Sequence, residues 1–294
     1  MEDRSLWQLM RETWAKIEPC YLPAIDPLVK KSGLGRREWG VLLVARTLEL
    51  EDITPGHLMI RGPYTASERY LAWLSNAARQ GYLEKVGEGC FRLTPFGGKA
   101  VDTFIHLARE AMAEADPLIP EKSQKLAEYL GRLVASCLVT PAPPEPWAIK
   151  LSHKLMPDLQ PPLPYIEQAF SCLEAYRDDA HLASWQNSGI SATAFETLTL
   201  IWRESLETLD DITEKLKHRG HSREVYANAL AELRDRGYIV GVRSALKITP
   251  EGRVFREHVE TMTDRYFYNP WHCLTQTEKK EITELLTSLG EGLS

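Results

Sequence analysis

A chain of 294 residues, 44% apolar and 26% charged, has the composition of a soluble globular protein and enough length for two ordinary domains. No apolar run approaches the roughly 18 residues of a membrane-spanning helix, and the start Met1-Glu-Asp-Arg-Ser-Leu6 lacks the basic and apolar regions of a secretory signal. The five cysteines stand singly, so reduced thiols in the cytoplasm are expected, and a net charge of -6 leaves nucleic-acid binding to a local basic face.

In chain order, a first helix carries Met10, Trp14 and Ile17 at helical spacing. A helix over Arg37–Leu48, a short one over Pro55–Ile60 and a third over Ala66–Gln80 follow. A hairpin comes next, Tyr82–Val86 with Cys90–Leu93, its tip at Gly87-Glu-Gly89. Prolines then crowd Thr140–Pro146, Pro157 and Pro161–Pro164; they favour an extended linker, with a short helix over Trp147–Met156 packing on one side. Beyond it the spacing predicts helices over Ala192–Glu204 and from Leu209 to about His218. A turn at Arg219–Ser222 leads into a helix over Arg223–Arg236, capped by Ser222 and stopped by Gly237. Strands over Tyr238–Val240 and Ala245–Ile248 and helices over Pro250–Asp264 and Gln276–Leu289 complete the series.

The two series match. A shift of 156 residues lays Ser32-Gly33-Leu34 on Ser188-Gly189-Ile190, Trp39 on Phe195, Tyr70 on Tyr226 and Gly81-Tyr82-Leu83 on Gly237-Tyr238-Ile239. After the loss of one residue, Thr94-Pro95-Phe96-Gly97 falls on Thr249-Pro250-Glu251-Gly252. The original shift returns at Leu126, Leu130 and Leu133, opposite Ile282, Leu286 and Leu289. The order of these matches along the whole chain reads as an internal duplication.

Three helices followed by a small hairpin is the order of a winged helix-turn-helix. With a helix before and two after, each repeat resembles a MarR-type regulator subunit, on Leu233-Arg-Asp-Arg-Gly-Tyr-Ile239, Ile248-Thr-Pro-Glu-Gly252 and Cys273-Leu-Thr-Gln-Thr-Glu-Lys-Lys-Glu-Ile282. The resemblance implies a mainly α fold with small β-wings: tandem winged helix-turn-helix repeats over 1–139 and 163–294, joined by a linker over 140–162 into an intramolecular pseudo-dimer. It implies a regulator that binds double-stranded DNA and responds to a small apolar or aromatic effector, as a single pseudo-dimer or a further homodimer. Neither wing, Val86–Cys90 or Val240–Ala245, carries the family's Asp-x-Arg element.

Side chains near the start of a recognition helix read base edges, and nearby basic groups hold phosphates. The candidates are Arg61, Thr65, Ser67, Arg69 and Lys85 in the first repeat, and His221, Ser222, Arg223, Asn228 and Arg243 in the second. In the first recognition helix Leu71 and Ala72 stand where the second has Ala227 and Asn228, so the two half-sites are expected to differ. Two such helices entering successive major grooves lie about 34 Å apart. Trp14, Trp39 and Trp202 are candidates for an effector pocket, with core packing as the plainer reading of each. Tyr70 and Tyr226 read as core. No nucleophile–base arrangement, phosphate loop or zinc spacing is present, so no catalysis, metal or cofactor is expected. The other reading is a protein-interaction or small-molecule module, conceivably catalytic, on a winged-helix frame that does not bind DNA sequence-specifically; the acidic net charge favours it.

Overall fold

The computed structural model describes residues 2–49, 52–204, 208–241 and 245–293. Helix α1 (Glu2–Ser32) is followed by α2 (Arg36–Thr47), α3 (Pro55–Arg61), α4 (Ser67–Arg79), strands β1 (Leu83–Gly87) and β2 (Cys90–Leu93), α5 (Pro95–Ala115) and α6 (Pro120–Val139). After α7 (Ala148–His153), the same order of elements runs again: α8 (Pro162–Trp185), α9 (Ala192–Glu204), α10 (Leu209–Lys215), α11 (Arg223–Asp235), β3 (Ile239–Val240), β4 (Lys247–Ile248), α12 (Pro250–Tyr268) and α13 (Gln276–Gly292). The strands pair as antiparallel hairpins, Leu83 opposite Leu93 and Ile239 opposite Ile248.

Each hairpin hands over to its next helix by one device. Thr94 and Thr249 accept the amide N–H of Gly97 and Gly252 at 2.9 and 3.0 Å, capping α5 and α12. The same hydroxyls donate to the carbonyls of Gly81 and Gly237 at 2.7 Å. Proline fills the first helical turn, where its missing N–H is not needed. A Cβ at Gly97 or Gly252 would stand 2.0 or 2.2 Å from the carbonyl oxygen of Tyr82 or Tyr238, so only glycine lets helix and strand approach this closely.

The apolar stripes converge on one central core. Met10 and Ile17 of α1, Leu126, Leu130 and Leu133 of α6, Ile166, Phe170 and Leu173 of α8, and Ile282, Leu286 and Leu289 of α13 are all completely buried. Helix α1 packs against α13 as well as α5, α8 packs against α6 as well as α12, and α6 meets α13. The first long helix of each half therefore lies on the last helix of the other. Polar ties fix this exchange: Lys279 to Asp3 at 2.7 Å, Lys16 to the carbonyl of Gly290 at 2.8 Å, and Tyr129 to Glu281 at 2.6 Å. Two smaller cores build the heads. Trp39, Leu42, Tyr70, Leu74 and Phe91 fill the first (α2–α4 with β1–β2), and Phe195, Leu198, Tyr226, Leu230 and Leu233 fill the second (α9–α11 with β3–β4).

The segment between the halves departs from the expected linker. Rather than packing on one side, α7 lies between both: Ala148 and Ile149 are buried in the central core, while Leu151 packs against the first head. The Asp179 carboxylate of α8 accepts the N–H groups of Trp147, Ala148 and Ile149 at 3.2, 2.9 and 3.0 Å, satisfying donors that a helix start leaves open. At its other end Lys154 donates to the carbonyl of Thr47 at 2.9 Å. Helix α12 continues past the expected Asp264 to Tyr268 because Phe267 is buried on its core stripe. Trp271, also fully buried, turns the chain into α13.

Candidate nucleic-acid interface

Helices α4 and α11 are the third helices of their heads, each amphipathic by the spacing of its buried residues. Tyr70, Leu74 and Ala77 face inward from α4, and Tyr226, Ala229, Leu230 and Leu233 from α11. Both tyrosines also pin the turn that precedes their helix, Tyr70 Oη donating to the carbonyl of Gly62 at 2.9 Å and Tyr226 Oη to that of Leu216 at 3.3 Å. The outer face of α11 offers exposed Arg223 and Asn228 behind a capped start, where Ser222 Oγ accepts from the amide of Val225 at 3.4 Å. The outer face of α4 offers exposed Arg69, Leu71 and Ala72.

The N-terminal ends of these helices meet. The amide of Ala66, which caps α4, donates to the carbonyl of Arg219 at 2.9 Å. His221 Nε2 lies 3.0 Å from the carbonyl of Tyr64, to which it donates. The Arg219 guanidinium donates to Glu196 at 2.6 and 2.9 Å and to Thr65 at 3.4 Å, and its carbon stands 5.5 Å from the Tyr64 ring centre. Arg61 closes a further tie to Asp178 of α8 at 2.7 Å. Gly220, at φ +83, lets the turn lie against Arg69, whose Cβ would be 3.1 Å from a Cβ placed there. Thr65 and Ala66 are buried as a result.

This junction bounds the distance between the starts of the two helices. Ser222, the cap of α11, is three residues from the Arg219 carbonyl that holds Ala66, so the two helix starts lie within about 15 Å by chain reach. That is less than half of the roughly 34 Å between successive major grooves.

The structure sorts the candidate residues accordingly. Thr65 and His221 face the opposite head instead of an open groove, because each lies in the turn that the heads share, whereas Arg61, the exposed last residue of α3, pairs with Asp178 of α8. Ser222 is a helix cap, and Ser67 opens α4 half-buried. Lys85 is exposed on β1, Asn228 is exposed on α11, and Arg223 pairs with Asp210 at 2.8 Å with both side chains largely in solvent, a pairing of little strength. Arg69 and the unforeseen Arg37 both stand over Trp73, at 5.9 and 5.8 Å. Arg243 lies outside the described residues. Arg37, Tyr64 and Arg219 escaped sequence reasoning, although Arg219 lay in the predicted turn.

The three tryptophans are not brought together. Trp39 is a core residue, 2% exposed, stacked on Phe104 and donating to Ser32 Oγ at 3.1 Å. Trp202 covers the guanidinium of Arg256 at 4.9 Å. Trp14 donates to Glu167 at 3.2 Å, and Glu167 lines a cavity of about 180 Å³ between the first head and the central helices. Tyr21, Leu43, Phe104 and Met112 supply its apolar wall, with Arg109 and Gln168 as polar neighbours of Glu167. Burial raises the Glu167 carboxyl above its ordinary range and lowers the Arg109 guanidinium. A polar cleft of about 350 Å³ adjoins it across Arg109, which donates to the carbonyl of Leu155 at 2.5 Å. At the matching positions of the other half, Arg177 pairs with Asp264 at 3.3 Å and lies over Phe267.

On α8, His181 lies against Phe195 of the second head, and burial first, then the charge of Arg256, lowers its pKa to about 4. The folded protein thus binds this proton less readily than the unfolded chain. Its contribution is intact above the ordinary pKa of 6.5 and is lost as pH falls towards about 4. For a partly exposed ring this is worth roughly 2 kcal/mol. Urea unfolding at pH 7 and pH 4.5 is expected to show His181→Gln losing that much less stability between the two than the parent; equal losses would refute it.

Residues 98–294 match the model of a helix-turn-helix family. The match begins inside α5 and takes in the second head. No curated protein and no solved structure matches the chain. Among the described residues no helix is long and apolar enough to cross a membrane, and no three His, Cys, Asp or Glu side chains gather as a metal site.

Proposed function

Since the chain belongs to the helix-turn-helix family, we propose that it is a cytoplasmic DNA-binding transcriptional regulator of MarR-like build, two winged units (1–139 and 163–294) fused through 140–162 around a shared helical core. The observation that carries this reading is α11: a capped helix inside the family match, pinned through Tyr226, with Asn228 exposed and Arg223 held only by a solvent-exposed pair with Asp210, both on the face that would meet base edges. Arginine pairs well with guanine and asparagine with adenine in the major groove. The repeated order of elements and the exchange of α1 and α8 between halves support the pseudo-dimer. The cavity around Glu167 is the place for a small, largely apolar effector with a hydrogen-bonding group. The reading assigns no catalytic step.

Binding to a labelled fragment of the DNA upstream of its own coding region, across a salt series, tests it. Arg223→Ala with Asn228→Ala is expected to weaken specific binding at least tenfold. Binding that is unchanged in the double variant sinks the assignment of α11. A second reading, an interaction module that leaves DNA alone, draws on the junction, which buries Thr65 and occupies His221. It gains if the protein selects nothing from a random DNA pool.

A further inference from the structure

The heads are usually thought of as separate readers, yet here their reading ends are stitched through Ala66, Arg219, His221 and Tyr64. The seam is also where unneutralised cations collect. Arg37 and Arg69 are exposed, each stands over the ring of Trp73, and neither has a carboxylate in ion-pair range among the described residues. His218, from the opposite head, is near enough to Arg37, Arg69 and Arg219 that their charge, after burial, disfavours its protonation. Like charges gathered at one place repel unless an anion meets them. Beside them, Leu71 and Ala72 give α4 no donors for base edges, whereas α11 keeps Arg223 and Asn228.

We propose that the joined heads act as one reading unit on a single continuous stretch of duplex: the first head grips backbone phosphates with Arg37 and Arg69 beside the seam, and the second reads bases with Arg223 and Asn228. This rests on the DNA-binding reading above and gives that site its target geometry. Helix starts within about 15 Å of each other span some four or five base pairs at 3.4 Å each. Both therefore sit within one turn of duplex, and the closed junction is the form that binds.

The test is hydroxyl-radical footprinting and salt titration of the full chain on a duplex selected from random DNA. One protected tract is expected. Arg37→Ala with Arg69→Ala, two exposed positions, should lower affinity alike on preferred and scrambled sequence and reduce the slope of log K against log salt by about 2. Arg223→Ala with Asn228→Ala should erase the difference between the two sequences. Two protected tracts a helical turn apart, or an unchanged slope in the Arg37/Arg69 variant with its fold intact by circular dichroism, overturns the proposal while leaving DNA binding in place. Failure of the parent protein to select any DNA removes the DNA-binding reading as well.

Discussion

Replacing Glu260 by alanine is expected to destabilise the protein by about 3 kcal/mol, whereas Arg256→Met should cost less than about 1 kcal/mol. The asymmetry comes from where the guanidinium lies. Arg256 is 1% exposed, over the rings of Phe195 and Trp202 at 4.7 and 4.9 Å, and its one ionic partner among the described residues is Glu260 at 2.5 Å. Its Nε and Nη1 have no hydrogen-bond partner among the described residues, and burial already lowers its pKa. Removing the carboxylate strands a cation away from water, the costly half of breaking a buried pair. Glu260 is 30% exposed, which keeps the penalty at the lower end. Methionine fills a similar volume, suits the two aromatic faces and removes the stranded donors. Urea midpoints of the two single variants decide the matter: equal losses would show that the guanidinium is not dependent on its partner.

Arg219→Ala is expected to cost about 3 kcal/mol and to open the junction. The side chain holds Glu196 at 2.6 Å and reaches Thr65 of the other head, and Glu196 is 13% exposed with its second oxygen unpartnered. Burial lifts the Glu196 carboxyl above its ordinary range, and Arg219 opposes that lift. Without the arginine the folded state favours the protonated acid still more. It then holds a proton that the unfolded chain releases above pH 4.5. The deficit of the variant must therefore widen as pH rises past the parent's own raised Glu196 value, up to the still higher value of the variant, and shrink as pH falls back towards 4.5. Adding Glu196→Gln should return part of the loss, since no charge is left unpaired. A deficit independent of pH and unrelieved by the glutamine would show that the ion pair contributes little.

The local elements were readable to within a residue or two where periodicity and caps coincide. Ser222 before α11 and Gly237 after it are chemical punctuation that stays the same in any tertiary setting. The buried stripe of α12 was present too: Gly252, Arg256, Val259, Thr263 and Phe267 follow one another at helical spacing, and an arginine on that face was the signal for a buried cation. What faces a turn from outside leaves no such trace. Thr65 and His221 lie beside helix starts, but the partners that occupy them lie more than a hundred residues away. Nothing in their spacing distinguishes an open groove from an opposing head. The same holds for Asp179, whose carboxylate caps α7 across some thirty residues of chain.

The exchange of long helices between the halves has a consequence in mass action. Two separate chains packed in this way would part on dilution, since their stability would depend on how often they meet. Here α1 meets α13, and α8 meets α6, within one molecule. The connecting segment is itself docked at Asp179 and Lys154, which keeps the partners at an effective concentration that for short links reaches millimolar. Copy number then sets how many assembled molecules exist, but not what fraction of them is assembled.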